Sequence, residues 1–504
     1  MKEEIDVNFL GIDLGTSSVK LIIMNEKGGI LTSVSKDYDI SYPKVGWAEQ
    51  NPDDWWNSTK DGIKELINSY NIKPETIDGI SFSGQMHGLV ILDSNNKVLM
   101  PAILWCDQRT QKQCDYLNKE FGQDKLSKYT GNMALTGFTF PKLLWVKENK
   151  PDIYAKIAHI MLPKDYISFK LTGMFASDVS DASGTIMFDV ENRKWSKEIL
   201  DLFEIKENVL PKVYESYEVI GNVSKKVSNE TGLSTATKVI AGAGDQAAGA
   251  VGTGTVNSGI LSVALGTSGV VFASSEKFYV DNENRLHSFC HANGKWHQMG
   301  VILSAASSLK WWVDNVSGDI FEKLLSEAEG SAVGSNKLFF LPYLIGERTP
   351  YNDPCAKGSF IGLNVTHKRG DMTRAILEGV AFALRDSLEI LRTLNVDMKE
   401  VRISGGGSKS KLWRQIIADV FNLKVSIINS KEGPAYGAAI LAAVGCKLFN
   451  SVDEACEALI KTTDITESIR ENVEKYDKLY KVYSSLYTCL KDKFKEIDNL
   501  SDIV

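Results

Sequence analysis

The stretch FLGIDLGTSSVKLIIM (Phe9–Met24) reads as an apolar strand, a Gly-Thr-Ser turn and a second apolar strand. Its centre returns in the second half of the chain as ILSVALGTSGVVF (Ile260–Phe272), with Leu14-Gly15-Thr16-Ser17 echoed by Leu265-Gly266-Thr267-Ser268. Four matching residues can arise by chance. Lying near the start of each half, between two β-like runs, they point to two copies of one supersecondary unit. A Gly/Thr/Ser turn after a buried strand lets backbone N–H groups approach phosphate oxygens closely. Gly15, Thr16 and Ser17 in one copy, and Gly266 and Thr267 in the other, are therefore candidate phosphate-binding residues. Asp13 ends the first strand and is a candidate ligand for hydrated Mg2+, which prefers carboxylate and water oxygens. Each turn alone also fits a plain hairpin. The border between the copies is placed at the turn-rich Thr253–Ser258, giving domains 1–252 and 253–504.

Outward from the first turn, Asn25–Gly29 predicts a hairpin turn into a third strand at Ile30–Val34. Asn51-Pro52-Asp53 is a helix-start signal ahead of an amphipathic Trp55–Tyr70. Strands are expected near Gly79–Ser83, Leu89–Leu92 and Lys238–Ala241. Helices are expected near Leu143–Lys147 and Ile167–Leu171, and over the charged last forty residues with their spaced Tyr and Leu.

VIAGAGDQAAGA (Val239–Ala250) runs from a strand through a glycine turn into a small-residue helix. Gly242, Gly244 and Ala247 match the spacing of a dinucleotide fingerprint, G-x-G-x-x-G/A. That reading needs an acid about 20 positions on, and none occurs between Asp245 and Glu276. A tight strand–helix packing turn also fits. The third reading places Asp245 at a helix N-terminus facing a cleft, where its carboxylate can accept the proton of an attacking alcohol. Ser404–Ser410, with Gly405 and Gly406, offers side-chain-free backbone suited to a nucleoside face, or to a simple strand-to-helix turn. Glu432–Ala439 reads as a turn into a helix fit for close packing at a domain junction. Met86 and His87, in the loop Ser83–Gly88, could line a sugar site, though a lone His more often serves structure. His287, Cys290, His291 and His297 raise a zinc site, but their spacing matches no zinc pattern and favours a structural role. No G-x-x-x-x-G-K-[ST] is present, which excludes a P-loop enzyme.

The chain has 504 residues, 43% hydrophobic, and a formal net charge of −7. That length exceeds one core. No basic tract is large enough for a nucleic-acid surface. The opening residues lack a signal-peptide pattern. The longest apolar run, near Ala438–Val444, is far below the ~18 residues of a membrane span. Seven scattered cysteines, never in C-x-x-C spacing, suit a reducing compartment. A cytoplasmic protein with no membrane or nucleic-acid partner is expected.

The chain resembles the FGGY carbohydrate kinases, a branch of the sugar kinase, Hsp70 and actin superfamily. The likeness runs through Gly11–Ser17, Gly46–Gln50, Ser83–Gly88, Pro101–Trp105, Pro141–Trp145, Leu162–Tyr166, Ala176–Asp178, Ser180–Thr185, Gly346–Pro350 and Gly358–Glu378. Within the family it is most similar to the members that phosphorylate D-xylulose. The resemblance implies an α/β protein of two actin-like, ribonuclease H-like ATPase domains around a central cleft. It implies Asp245 as catalytic base, Met86, His87, Asp245 and Gln246 at the sugar, and Asp13 with Asp245 at Mg2+. It also implies Thr267 and its glycine neighbours at phosphate, and Gly405, Gly406 and Ser410 at the nucleoside. Gln246 departs from the Asn that the family pattern carries there, which bears on the identity of the ketose.

The implied reaction transfers the γ-phosphoryl of ATP to the C5 hydroxyl of D-xylulose, as in xylose catabolism, by a homodimer. Three other readings stand beside it. One is a kinase of the same fold for gluconate, ribulose or glycerol. Another is a sugar-independent ATPase like actin or Hsp70, for whose peptide-binding domain this chain has no room. The last is the dehydrogenase suggested by Gly242–Ala247.

Overall fold

The computed structural model describes residues 7–70, 72–430 and 432–500. The last four residues of the expected terminal helix lie outside this range. Two mixed sheets organise the chain. The first holds β1 (Asn8–Leu14), β2 (Ser18–Asn25), β3 (Ile30–Asp37), β4 (Ile77–Gly84), β5 (Val219–Asn222), β6 (Lys238–Ile240) and β7 (Ala243–Gly244). The second holds β8 (Gly259–Leu265), β9 (Gly269–Ser275), β10 (His287–Cys290), β11 (Trp296–Ile302), β12 (Met398–Ser404), β13 (Lys424–Ile428) and β14 (Thr462–Thr466).

Their strand orders explain the sequence echo. The first sheet runs β3-β2-β1-β4-β6-β5, with β7 also pairing with β4. The second runs β11-β9-β8-β12-β13-β14, with β10 added outside β11. In both, the successive pairings are antiparallel, antiparallel, parallel, parallel, antiparallel. The two Gly-Thr-Ser turns are thus the same β1–β2 and β8–β9 hairpin connection of one duplicated unit. Register closes on them alike, with Leu14 opposite Val19 and Leu265 opposite Gly269.

The helices are α1 (Pro52–Ser69), α2 (Thr139–Asn149), α3 (Pro163–Thr172), α4 (Val179–Ser183), α5 (Asp245–Gly252), α6 (Ala306–Trp312), α7 (Arg369–Thr393), α8 (Lys411–Phe421), α9 (Gly433–Gly445) and α10 (Arg470–Asp498). Helix α1 starts where Asn51 and Pro52 predict, the Asn51 side chain accepting from the Asp53 N–H at 3.2 Å. Strand β1 is covered on both faces, so its side chains alternate between two apolar layers rather than between core and water. Leu10 and Ile12 join Trp55, Ile63 and Leu66 of α1. Phe9 joins Tyr436 and Ile440 of α9. Gly11 faces α9 as well, and a Cβ there would lie 2.2 Å from the Ala435 carbonyl oxygen. Helix α9 comes from the second half of the sequence yet packs on the first sheet, and it crosses α5 at glycines. The two lobes are joined through this crossing. Helix α7 is the spine of the second lobe's core, burying Ile376, Leu377, Val380 and Leu384.

Candidate active site

The first turn is held by its carbonyls. Tyr38 Oη donates to the Gly15 carbonyl at 2.6 Å, Gln50 Nε2 donates to that of Thr16 at 2.7 Å, and the Tyr38 N–H donates to that of Ser17 at 3.0 Å. Trp105 Nε1 donates to Thr16 Oγ1 at 3.0 Å. With three carbonyls fixed, the peptide planes of Thr16 and Ser17 are oriented, and Ser17 is exposed. The second turn uses the same device. The Gly266 carbonyl accepts from the Ala306 N–H at 2.9 Å, and that of Thr267 accepts from the Ala305 N–H at 2.9 Å and Ser307 Oγ at 2.7 Å, all at the start of α6. Gly405 lies directly on this turn, with φ +85° and no room for a Cβ, which would meet the Leu265 carbonyl oxygen at 2.5 Å. Gly405 and Gly406 are exposed. The Ser410 Oγ accepts from the Trp413 N–H at 3.2 Å and caps α8.

Asp245 is the first residue of α5 and half-buried. Burial pushes its carboxyl up to about 7, the nearby Asp13 carboxyl adds to the rise, and the amides of Gln246 pull part of the way back. Asp13 is raised too, by burial, against the pull of Ser83 and Lys20, its neighbours in register on β4 and β2. Neither aspartate forms an ion pair with any described residue, and Lys20 is engaged by Glu432 instead. Two desolvated carboxylates in one cleft, without a protein cation, form a donor set that suits a hard divalent ion completed by water and phosphate oxygens. Among the described residues no group of three or more His, Cys, Asp or Glu converges on a metal position. His291 Nε2 lies 2.9 Å from the Thr255 carbonyl oxygen and His297 stacks on Phe272 with centroids 4.1 Å apart.

The N-terminus of α5 is anchored by a buried polar brace. The Gly244 N–H donates to Ser180 Oγ at 3.1 Å, and Ser180 donates to Asp178 Oδ2 at 2.5 Å. Asp178 and Asp165 hold the Lys164 ammonium at 2.8 and 2.7 Å. These residues come from α3, α4 and the chain between them. Their charges compensate one another only in place, so removing one strands the others away from water.

Met86 is buried against Gly244, where a Cβ would meet its Sδ at 2.9 Å. His87 takes a left-handed backbone, φ +71°, which costs energy in a non-glycine residue. The surroundings hold it there: its carbonyl accepts from Lys142 Nζ at 2.9 Å and Thr139 Oγ1 at 3.1 Å, and its Nδ1 lies 2.9 Å from the Gly184 carbonyl oxygen. Burial and the Lys142 charge keep the imidazole well below its usual range and therefore neutral. Nδ1–H then donates to Gly184, leaving Nε2 as a free acceptor. Phe138 lies 4.7 Å from the His87 ring. His287 and Phe289, from the second lobe, complete the aromatic wall. Burial lowers the Lys142 ammonium to about 7, against the opposing pull of the nearby Asp107 carboxylate.

The structure brings Asp13 and Met86 to the head of α5 at Gly244, Asp245 and Gln246, and sets the second turn against Gly405; the sequence reading names these residues. It gave no role to Tyr38, Trp105, Lys142 or Ser180. Their contacts cross tens of residues and leave no local pattern; the only signal was that several lie in stretches shared with the FGGY kinases.

A cleft between duplicated α/β lobes, with paired phosphate-type turns and a desolvated aspartate, defines a phosphotransferase of the two-lobed kinase class. The models of the N-terminal and C-terminal domains of the FGGY family of carbohydrate kinases match residues 8–252 and 261–446. The chain belongs to this family. Xylulose kinase of Bacillus subtilis (strain 168) is 41% identical over 485 residues, covering 96% of this chain and 97% of its own. A crystal structure reported as a "xyloylose kinase" from Brucella ovis matches at 38% identity and a TM-score of 0.91, covering 96% of this chain and 99% of that one. Gluconate kinase from Lactobacillus acidophilus matches at 26% identity and a TM-score of 0.93, covering 98% and 100%. Backbone likeness alone thus does not choose the sugar. Among the described residues no helix is long and apolar enough to cross a membrane.

Proposed function

We propose that this chain is an ATP-dependent kinase that phosphorylates D-xylulose at its C5 hydroxyl, giving D-xylulose 5-phosphate and ADP. The observation that carries the mechanism is Asp245, its carboxyl raised to about 7 at the head of α5 beside the sugar wall. In the ionised form it accepts the C5 hydroxyl proton as the oxygen attacks the γ-phosphorus, and the bond from that phosphorus to the ADP oxygen breaks. The N–H groups of Thr16 and Ser17 in one turn and of Gly266 and Thr267 in the other receive the phosphate charge, while the Gly15 N–H closes its turn on the Ser18 carbonyl at 3.0 Å. Gly405, Gly406 and Ser410 present the nucleoside face, the Ser410 Oγ also capping α8. Asp13 and Asp245 would hold Mg2+, which when bound neutralises phosphate charge. Met86, the neutral His87 and Gln246 orient the ketose.

The choice of D-xylulose rests on the 41% identity over nearly the whole chain to the Bacillus kinase named for it. The sheet order supports reading each lobe as a ribonuclease H-like unit of the actin type. The two matched models support lobes at 1–252 and 253–504, with α9 reaching across. A homodimer and a cytoplasmic location belong to the same reading, on family likeness and on the free cysteines respectively. An ADP-release assay across D-xylulose, D-ribulose, gluconate and glycerol tests it. Turnover is expected with D-xylulose; release with gluconate but not D-xylulose would overturn the choice, and release indifferent to sugar would overturn the kinase.

A further inference from the structure

The loop Gly346-Glu347-Arg348-Thr349-Pro350 of the second lobe carries an arginine that the mechanism above does not use. Its neighbours are pinned to the end of β11. The Leu303 N–H donates to Glu347 Oε1 at 2.9 Å, the Thr349 N–H donates to the Val301 carbonyl at 3.0 Å, and Thr349 Oγ1 accepts from the Val301 N–H at 3.0 Å. The Arg348 backbone is therefore fixed. Its guanidinium is not: among the described residues it makes no hydrogen bond and no ion pair. Each of the ten other arginines forms an ion pair. Even adjacent Glu347 turns its Oε1 to the N–H groups of Leu303 and Arg348 at 2.9 and 2.8 Å.

Arg348 is half-buried, and burial holds its guanidinium below the ordinary arginine range. A desolvated charge without a partner is costly, and in a cleft it marks a place where a ligand supplies the partner. The side of the cleft is known from its neighbours. The Arg348 charge bears on His87 of the first lobe and His287 of the second, the imidazoles of the aromatic wall. Val301, to which Thr349 is pinned, packs in one apolar cluster with Met86, Phe138 and Phe289 of that wall. Arg348 therefore stands beside the imidazole wall of the candidate sugar site.

We propose that Arg348 reaches across the cleft to donate its N–H fork to the oxygens at the carbonyl end of the bound ketose, O1 and O2, and so selects a ketose over a polyol. The inference rests on the D-xylulose reading above. A guanidinium fork suits two adjacent oxygens, one of them a planar carbonyl. Two fixed lobes then grip opposite ends of one chain: Asp245 at C5, Arg348 at C2. A site built to pair a specific polar group discriminates strongly when that group is missing.

The test compares wild type, Arg348→Gln and Arg348→Lys by KM for D-xylulose and ATP, and by Ki for xylitol and D-arabitol, the two alcohols made by reducing the D-xylulose carbonyl. Arg348→Gln is expected to raise KM for D-xylulose by about tenfold or more, with KM for ATP within twofold and Ki for the polyols little changed. Arg348→Lys, keeping charge but not fork, should fall between. An unchanged KM for D-xylulose, or equal weakening of ketose and polyols, would overturn the inference. If Arg348→Gln fails to fold by thermal melt, the lysine variant carries the test with the same criteria. A wild type inactive on D-xylulose would instead sink the functional reading itself.

Discussion

The carboxyl of Asp13, at the end of β1, raises that of Asp245 at the head of α5. The two residues sit on different elements of one lobe, separated by more than two hundred positions in the chain. Burial raises the Asp245 carboxyl most and the Asp13 charge adds to it, which gives the cleft a carboxyl poised near neutrality.

Turnover should follow that poise. Only ionised Asp245 accepts a proton, so kcat/KM is expected to fall as pH drops below about 7, where the free enzyme's carboxyl becomes protonated. Asp245→Ala should reduce kcat by roughly 10²-fold or more. Asp13→Asn removes the like charge, so the acid limb in its residual activity should move to lower pH. A limb that stays in place in Asp13→Asn, or near-normal turnover in Asp245→Ala, separates these aspartates from the assigned chemistry.

The same burial has a thermodynamic consequence. Asp245 binds its proton more tightly folded than unfolded, so between the unfolded value near 4 and about 7 stability declines as pH rises. Above that window the folded state carries the full cost of the charge. Asp245→Asn should therefore raise Tm at pH 8, by about 2 °C or more, and change it little at pH 4. Equal shifts at both values would mean that charge is not the cause.

Much of this architecture was legible in the sequence. Strands β1 to β3, α1 with its Asn51 cap and α5 all stand where apolar runs and turn residues place them, because each is set by local pattern. The echo between Leu14–Ser17 and Leu265–Ser268 located the duplication, which the matching sheet orders explain. What the pattern could not carry was long-range pairing. That α9 packs on the first sheet depends on Gly11 meeting Ala435, and that Ser410 caps α8 depends on the Trp413 N–H. Arg348 was visible only as part of a shared stretch, since being unpaired is a property of the folded surroundings.

The crossing of α5 and α9 is the junction on which the lobes depend. A Cβ on Gly437 would lie 1.8 Å from the Ala248 carbonyl oxygen, and one on Gly252 would lie 2.0 Å from that of Gly433. The obstacles are backbone on both sides, so neither can rotate away. Gly437→Ala should force the helices apart and destabilise the protein by about 1–3 kcal/mol. Because Asp245 heads α5, kcat should fall with it. A melting curve and kcat equal to wild type would mean that the helices already stand further apart.

The final prediction concerns the division of labour between the lobes. Gly405 needs φ +85° and lies against the Leu265 carbonyl, so its backbone helps shape the second Gly-Thr-Ser turn. Alanine there is opposed twice, by the left-handed conformation and by contact at 2.5 Å, and the turn must shift to admit it. The sugar wall, with Met86 and His87 on the first lobe, is left untouched. Gly405→Ala is therefore expected to raise KM for ATP by about tenfold while KM for D-xylulose stays within twofold. Strain at a site that serves only folding would lower Tm and leave both constants alone; strain at a shared site would move both. Only a change confined to ATP fits a nucleotide lobe that closes on a separately held sugar.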